Sequence, residues 1–380
     1  MFQERPTVAE IDLGALLHNY RALSACAGAA VEVIPVVKAD AYGHGALPVA
    51  SWLARNDAVP AFAVATVNEA RSLKSGGIRE PILILGALYE EDIAFVLKGG
   101  IVPVIWDLET AKRLSEAACR LQKKIPVEVK IDTGMGRAGV PAEEAVAFLF
   151  KVENLPGLRL KGLLSHLAVA DGEREWERRY TDRQAYAFSE ICRIFVPEDK
   201  KRVPVCHLAN SAGIVRYDFP GCRRARAGIA LYGAYPDPGL EDKIDLRPVM
   251  RVKTGIVLLK RLQPGQSVSY GCTYTAREEM VVGLLPIGYA DGYNRLLSGR
   301  GEVLVRGRRA PIIGRVCMDW TMIELTDIPE AAVGDEVVVL GRQGEEEIRA
   351  EEMADRVGTI SYEIFCNFSP RVPRVYIDGA

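Results

Sequence analysis

Residues 102–131, VPVIWDLETAKRLSEAACRLQKKIPVEVKI, change period twice. Val102–Trp106 is a short β-branched run suited to a buried strand, and from Asp107 onward Leu108, Ala111, Leu114, Ala118 and Leu121 recur three or four residues apart. That spacing places all five on one face of a helix, with the Asp107 carboxylate at its first turn as a cap. Val127–Ile131 then forms a second β-branched run. Parallel strands need a crossover between them, and an amphipathic helix supplies it.

The alternation extends in both directions. After a helix expected around Leu13–Cys26, strand-like runs stand at Ile34–Lys38, Phe62–Thr66, Ile82–Leu85, Val102–Trp106, Val127–Ile131, Leu160–Ser165, Val205–Leu208 and Arg223–Arg226. Eight such runs point to a closed (β/α)8 barrel of the TIM type over residues 13–240. Past the turn-rich Tyr235-Pro236-Asp237-Pro238-Gly239 the helical period nearly vanishes. Val249–Leu259, Met280–Leu285, Glu302–Val305, Thr321–Leu325 and Glu336–Leu340 read as strands of a β-rich C-terminal domain over 241–380. Within residues 1–12, extended at Val8–Leu13, a strand is expected to pair with that domain. The charged stretches Asp171–Arg183 and Glu345–Glu352 read as solvated surface.

A chain of 380 residues suits one large barrel plus a smaller partner, or two ordinary domains, given domains of roughly 150 residues. Hydrophobic residues at 49% and charged residues at 26% are those of a folded globular protein. The net charge of -2 leaves no electrostatic footprint for nucleic acid or anionic lipid, so neither is expected as a partner. The first residues lack an apolar core of a signal peptide, and no apolar stretch is long enough for a membrane helix, so a cytoplasmic location is expected. The eight cysteines form no C-x-x-C pair and read as reduced thiols, while four scattered histidines offer no ligand pattern for a metal.

In such a barrel the site lies at the carboxyl ends of the strands, so the polar residues there matter most. They are Lys38 after the first strand, Lys130 and Arg137 at the fifth, His166 after the sixth, Asn210 and Ser211 after the seventh, and Arg226 at the eighth. A desolvated lysine has a lowered pKa and presents a free amine, which an imine-forming nucleophile requires. Short helices expected to start at Ser211-Ala212 and Gly228-Ile229 would turn backbone N–H groups toward an anion. An amine for an aldehyde beside a phosphate cradle suggests pyridoxal 5'-phosphate.

The chain resembles the alanine racemases, pyridoxal-phosphate enzymes of fold type III, over essentially its whole length. The resemblance is carried by Val37-Lys38-Ala39-Asp40-Ala41-Tyr42-Gly43-His44-Gly45, Lys130-Ile131-Asp132-Thr133-Gly134-Met135-Gly136-Arg137, His207-Leu208-Ala209-Asn210-Ser211-Ala212, Arg226-Ala227-Gly228-Ile229-Ala230-Leu231-Tyr232-Gly233, Val268-Ser269-Tyr270-Gly271, Gly288-Tyr289-Ala290-Asp291-Gly292-Tyr293, Cys317-Met318-Asp319 and Ser361-Tyr362-Glu363. Eight motifs in family order leave little room for chance.

The resemblance implies interconversion of L- and D-alanine by two bases, supplying D-alanine for the bacterial cell wall. Lys38 would carry the cofactor as a Schiff base and act as one base, with Tyr270 as the other on the opposite face. His166 would hydrogen-bond Tyr270, and Arg226 would donate to the ring nitrogen. Tyr42, Asn210, Ser211, Gly228, Ile229 and Tyr362 would bind the phosphate end. Arg137 and the Met318 backbone N–H would hold the substrate carboxylate, and Lys130 matches a lysine often carbamylated. It also implies a homodimer with shared sites, Tyr270 and Met318 coming from the partner.

Three other readings compete. Gly134-Met135-Gly136-Arg137-Ala138-Gly139 fits G-x-G-x-x-G, but a dinucleotide fingerprint opens the first strand–helix unit, and this one follows the fifth strand. A non-catalytic pyridoxal-phosphate carrier on the same barrel would lack the β-rich half, in which Tyr270 lies. A racemase for serine or a larger amino acid differs only in pocket residues.

Overall fold

The computed structural model describes residues 4–195 and 204–378. They form two compact units, one of Leu16–Ala41 with Ala46–Leu246, the other of residues up to Ala15, Tyr42–Gly45, and Arg247 onward.

In chain order the first strands are β1 (Val8–Asp12), β2 (Glu32–Pro35), β3 (Phe62–Val64), β4 (Ile82–Ile84), β5 (Ile101–Ile105), β6 (Ile125–Asp132), β7 (Val140–Pro141), β8 (Leu158–Leu164), β9 (Val205–His207) and β10 (Cys222–Ala227). Eight of them run parallel in the order β2-β10-β9-β8-β6-β5-β4-β3, with β7 beside β6. A parallel bridge between Val36 and Ala63 joins the two ends, so the barrel is nearly closed. Every residue of β5 is buried, as expected of strands covered on both faces. All eight expected barrel strands are present, and the helix Leu108–Arg120 starts where Asp107 accepts from Thr110 N–H at 2.7 Å.

One local expectation fails. The run Ile34–Lys38 does not stay extended: after β2 the chain turns left-handed, and Ala39, Asp40, Ala41 and Tyr42 all have φ of 52–55°. An L-residue in that region costs about 1–2 kcal/mol, and no glycine announces it. Hydrogen bonds hold the turn instead. Ala39 N–H donates to Glu69 Oε1 at 2.6 Å, Ala41 N–H to the Val37 carbonyl at 2.9 Å, and Ala46 N–H to Asp40 Oδ1 at 2.7 Å. Glu69 also caps its own helix, Val67–Ser75, as the acidic member of a capping box with Thr66.

The second unit is built on β1 and on β11 (Met250–Gly255), β12 (Leu258–Leu262), β13 (Ser267–Val268), β14 (Tyr274–Thr275), β15 (Met280–Leu285), β16 (Glu302–Val305), β17 (Arg308–Ile313), β18 (Thr321–Glu324), β19 (Glu336–Gln343), β20 (Glu346–Ile348) and β21 (Arg374–Ile377). The main sheet runs β12-β15-β18-β17-β16-β19-β11-β1-β21. The N-terminal strand does join it, antiparallel to β11 and parallel to β21. The single strand expected at Val249–Leu259 is two, because β11 and β12 have different neighbours. Two helices, Ala350–Val357 and Ser361–Asn367, interrupt the β pattern. The stretch Glu345–Glu352 is more than solvated surface: Arg309 pairs with Glu346 at 2.8 Å and Glu352 at 2.7 Å, and Arg356 reaches Glu352 at 2.8 Å.

Tyr42–Gly45 packs within this second unit. The His44 ring lies 5.0 Å from that of Phe365. Gly43 has φ +82°, and a Cβ there would sit 2.5 Å from the Phe365 carbonyl oxygen, so only glycine fits.

Candidate active site

Each barrel residue singled out from the sequence stands at the carboxyl end of its strand. Arg226, near the end of β10, is 4% exposed and anchored on both sides. Its Nη1 donates to His207 Nδ1 at 2.8 Å and to the His207 carbonyl at 3.1 Å. Its Nη2 donates to the carbonyls of Ser165 at 2.6 Å and Leu208 at 3.1 Å, and lies 3.3 Å from His166 Nδ1. The Nε–H has no acceptor among the described residues. Burial pushes this arginine down to about 10, which still leaves it charged at neutral pH.

His166 follows β8 and faces cations from several directions. Burial, then Arg226, Arg137, Lys130 and Lys38, pushes its pKa down to about 3. The ring is therefore neutral. Since arginine only donates, the Nδ1 turned toward Arg226 carries no hydrogen, and Nε2 carries it. Lys130, buried on β6, is pushed down to about 8 by burial and by Arg137, Arg226 and Lys38, against a pull from Asp132. It is partly a free amine near neutrality.

Arg137 is exposed on the loop after β6, which Asp132 organises. Its Oδ1 accepts from Gly134 N–H at 2.9 Å and Gly136 N–H at 3.1 Å, and its Oδ2 from Arg137 N–H at 3.0 Å. Although burial opposes ionisation of Asp132, these bonds keep its pKa below the usual carboxylate range. The G-x-G-x-x-G match is thus a carboxylate-wrapped turn, and three N–H groups that a dinucleotide phosphate would need are already spent on Asp132.

After β9, Asn210 caps the helix Ser211–Arg216 by accepting from Gly213 N–H at 2.9 Å. The Ser211 hydroxyl oxygen accepts from Gly228 N–H at 2.9 Å and Ala230 N–H at 3.3 Å, so its own hydrogen is available to donate. Gly228 precedes a short 3-10 helix, Ile229–Tyr232.

These residues fit pyridoxal phosphate. Lys38, Lys130, Arg137 and Arg226 crowd around one neutral histidine, and their mutual repulsion calls for a group with several negative charges. The phosphate and the ring oxygen supply them. The unpaired Arg226 Nε–H suits a neutral ring nitrogen, and Ser211 suits a phosphate oxygen. Among the described residues no cluster of three or more His, Cys, Asp or Glu side chains could hold a metal.

In the second unit, Tyr42 is buried, which raises its pKa, and its ring centroid lies 6.0 Å from that of Tyr362. Tyr270 is the opposite case, 72% exposed on a turn in which Ser269, Gly271 and Cys272 all have positive φ. Met318 is 53% exposed, and Tyr270 lines a cavity of about 570 Å3 with Val268, Ser269, Cys317 and Trp320. Asp132, His207 and Glu128 were not singled out by their own chemistry from the sequence. Glu128 carried a signal, a carboxylate inside the apolar run Val127–Ile131.

The alanine racemase N-terminal domain family matches residues 11–236, and the alanine racemase C-terminal domain family matches residues 249–376. The alanine racemase of Geobacter sulfurreducens is 46% identical over 98% of this chain and 98% of its own length. That of Halothermothrix orenii is 43% identical over 98% and 97%. Among solved structures, alanine racemase of Clostridium difficile superposes with a TM-score of 0.91 at 36% identity, covering 100% of this chain and 97% of that one. The Bacillus anthracis enzyme with bound L-Ala-P gives 0.87 at 35%, covering 99% and 96%. No helix among the described residues is long and apolar enough to cross a membrane. With both halves of the sequence and the barrel with its β-rich unit all agreeing, the chain belongs to the alanine racemase family, a family of isomerases.

Proposed function

We propose that the protein interconverts L-alanine and D-alanine with pyridoxal 5'-phosphate, by two bases on opposite faces of the substrate. The observation that carries this is the convergence of Lys38, Lys130, Arg137 and Arg226 on a neutral His166. When bound, the cofactor supplies an electron-withdrawing ring conjugated to the substrate nitrogen, which acidifies the Cα–H bond.

The Lys38 amine would hold the cofactor covalently, and as a free amine its Nζ would move the Cα proton on one face. Tyr270 moves the proton at its Oη on the other. A tyrosine titrates near 10 in water, so it needs a donor to stabilise its phenolate at neutral pH. The Nε2–H of His166 serves as that donor. Arg226 would donate from Nε to the ring nitrogen without giving up a proton, which would restrain side reactions such as transamination. Arg137 and the Met318 N–H hold the substrate carboxylate. Tyr42, Asn210, Ser211, Gly228, Ile229 and Tyr362 hold the phosphate end, Asn210 through the helix that it caps and Gly228 once its N–H turns from the Ser211 oxygen to the phosphate.

A partly neutral Lys130 reacts with carbon dioxide to give a carbamate and a proton, turning a cation into an anion that orients Arg137. The active form is a homodimer, with Tyr270 and Met318 reaching the partner's Lys38. Their exposure in the single chain supports this, since large apolar side chains left open beside a cavity mark an interaction surface. The enzyme works in the cytoplasm and supplies D-alanine for the bacterial cell wall.

The test is a panel of enantiopure amino acids followed for loss of optical activity, together with borohydride treatment of the yellow protein. Alanine is expected to racemise fastest, and reduction to fix the cofactor on the Lys38 peptide. A colourless protein that stays inactive after adding pyridoxal phosphate overturns the reading.

A further inference from the structure

Glu128 is 1% exposed in the middle of β6, and its Oε2 lies 2.7 Å from His207 Nε2. His207, itself fully buried on β9, turns its other nitrogen to Arg226 at 2.8 Å. Arginine has no acceptor, so Nδ1 must accept from it, and the imidazole hydrogen is fixed on Nε2, pointing at the carboxylate. The line reads carboxylate, Nε2–H, Nδ1, guanidinium.

Between β6 and β9 lies β8, which the carboxylate has to cross. Gly162 of β8 stands in register with Glu128 on one side and Val205 on the other. A Cβ at Gly162 would lie 2.7 Å from Glu128 Cδ and 2.8 Å from its Oε1. The missing side chain is what gives the carboxylate its passage to His207.

Burial presses both partners toward neutrality, and the imidazole yields: its pKa falls, with Arg226 and Arg224 adding to the effect. Glu128 stays ionised against the same burial because the His207 N–H faces it and Arg224 lies 3.7 Å away. An apolar trio of equal volume would fill this space without such desolvation cost. What it could not do is fix a tautomer. With the hydrogen on Nδ1, His207 would oppose donor to donor with Arg226 Nη1 and push the guanidinium aside.

We propose that Glu128 and His207 are positioning residues that aim the Arg226 guanidinium at the cofactor's ring nitrogen, Glu128 acting only through the other two. This rests on the functional reading above. Loss of the carboxylate lets Arg226 move off the nitrogen, so racemisation slows while a larger share of turnovers ends in transamination, in which alanine and the bound aldehyde cofactor become pyruvate and pyridoxamine 5'-phosphate.

The experiment has two parts. In protein carrying 15N-histidine, with the His207 signals assigned by loss in His207→Gln, wild type is expected to show hydrogen on Nε2 and none on Nδ1. Hydrogen on Nδ1 overturns the proposal. In holoenzyme kinetics, Glu128→Leu should lower kcat by roughly 10- to 100-fold with little change in KM and raise pyruvate released per racemisation, while Glu128→Gln, which keeps an acceptor, loses less. Neither substitution should matter further in an Arg226→Lys background. Wild-type kcat and pyruvate release in a folded Glu128→Leu, or an equal loss with Arg226→Lys present, overturns it. If Glu128→Leu does not fold, the same cycle with Glu128→Gln decides. A wild type that neither binds pyridoxal phosphate nor racemises alanine defeats the functional reading instead, and the tautomer measurement still judges the relay.

Discussion

Arg226 Nη2 lies 3.3 Å from His166 Nδ1, and that one approach fixes which imidazole nitrogen keeps its hydrogen. The same approach, with burial as the larger cause, makes protonation of His166 costly. The unfolded chain takes up a proton near the ordinary 6.5, and the folded one only near 3. Between those values the unfolded state binds more protons, so the stability contributed by neutral His166 is present above pH 6.5 and is lost as pH falls toward 3. The loss is expected to reach a few kcal/mol at the acid end, estimated as about 1.4 kcal/mol per pKa unit and reduced for residual solvation. Urea midpoints of the cofactor-free protein between pH 7 and pH 4 measure it, and His166→Gln should flatten the profile.

Asp132 binds three N–H groups of the loop that carries Arg137. Asp132→Ala should release that loop and raise KM for alanine by roughly 10-fold or more, the effect of losing several charge-assisted hydrogen bonds. The dissociation constant of the cofactor, read from its absorbance, should change much less. Equal loss in both would show that Asp132 supports the whole site and not the loop alone.

The left-handed turn makes opposite forecasts at neighbouring residues. Ala39 is exposed at φ 52°, so Ala39→Gly should stabilise by about 1 kcal/mol, against the usual sign of that change in a helix. Gly43→Ala must place a methyl group 2.5 Å from the Phe365 carbonyl and should destabilise by at least about 2 kcal/mol. Chemical denaturation of both variants reads the difference directly.

Shared sites predict complementation. Lys38→Ala and Tyr270→Ala, each inactive alone, are mixed after mild dissociation; random pairing makes about half of the dimers mixed, each with one intact site, so roughly a quarter of wild-type activity should return. A mixture that stays dead while wild-type chains recover means that both bases come from one chain.

The barrel was legible because its signal is carried by period: Val102–Trp106 and Leu108 to Leu121 alternate as β and α whatever their neighbours do. The left-handed turn was not, because Ala39-Asp40-Ala41-Tyr42 contains no glycine, and backbone N–H groups donating to distant Glu69 and local Asp40 sustain it. Charged stretches mislead for a related reason. Glu352 looks like solvated surface until Arg309 arrives from elsewhere in the chain, while Arg356 joins it from the next turn of the same helix. At the site, Lys38, Lys130, His166 and Arg226 could be found as polar residues ending strands, whereas Glu128 needed the spatial order β6-β8-β9 to acquire a partner.

The passage of Tyr42–Gly45 into the second unit, between Ala41 and Ala46 of the barrel, has a practical meaning for anyone wishing to dissect the chain. The two family matches meet near residue 240 as if a cut there would yield two modules. Severing the chain at that place would strip Gly43 and His44 of Phe365, and β1 of both its neighbours, β11 and β21. The sequence halves are separable on paper, but residues 8–12 and 42–45 belong to the same unit as the C-terminal half, so recombination with a relative should exchange them together with it.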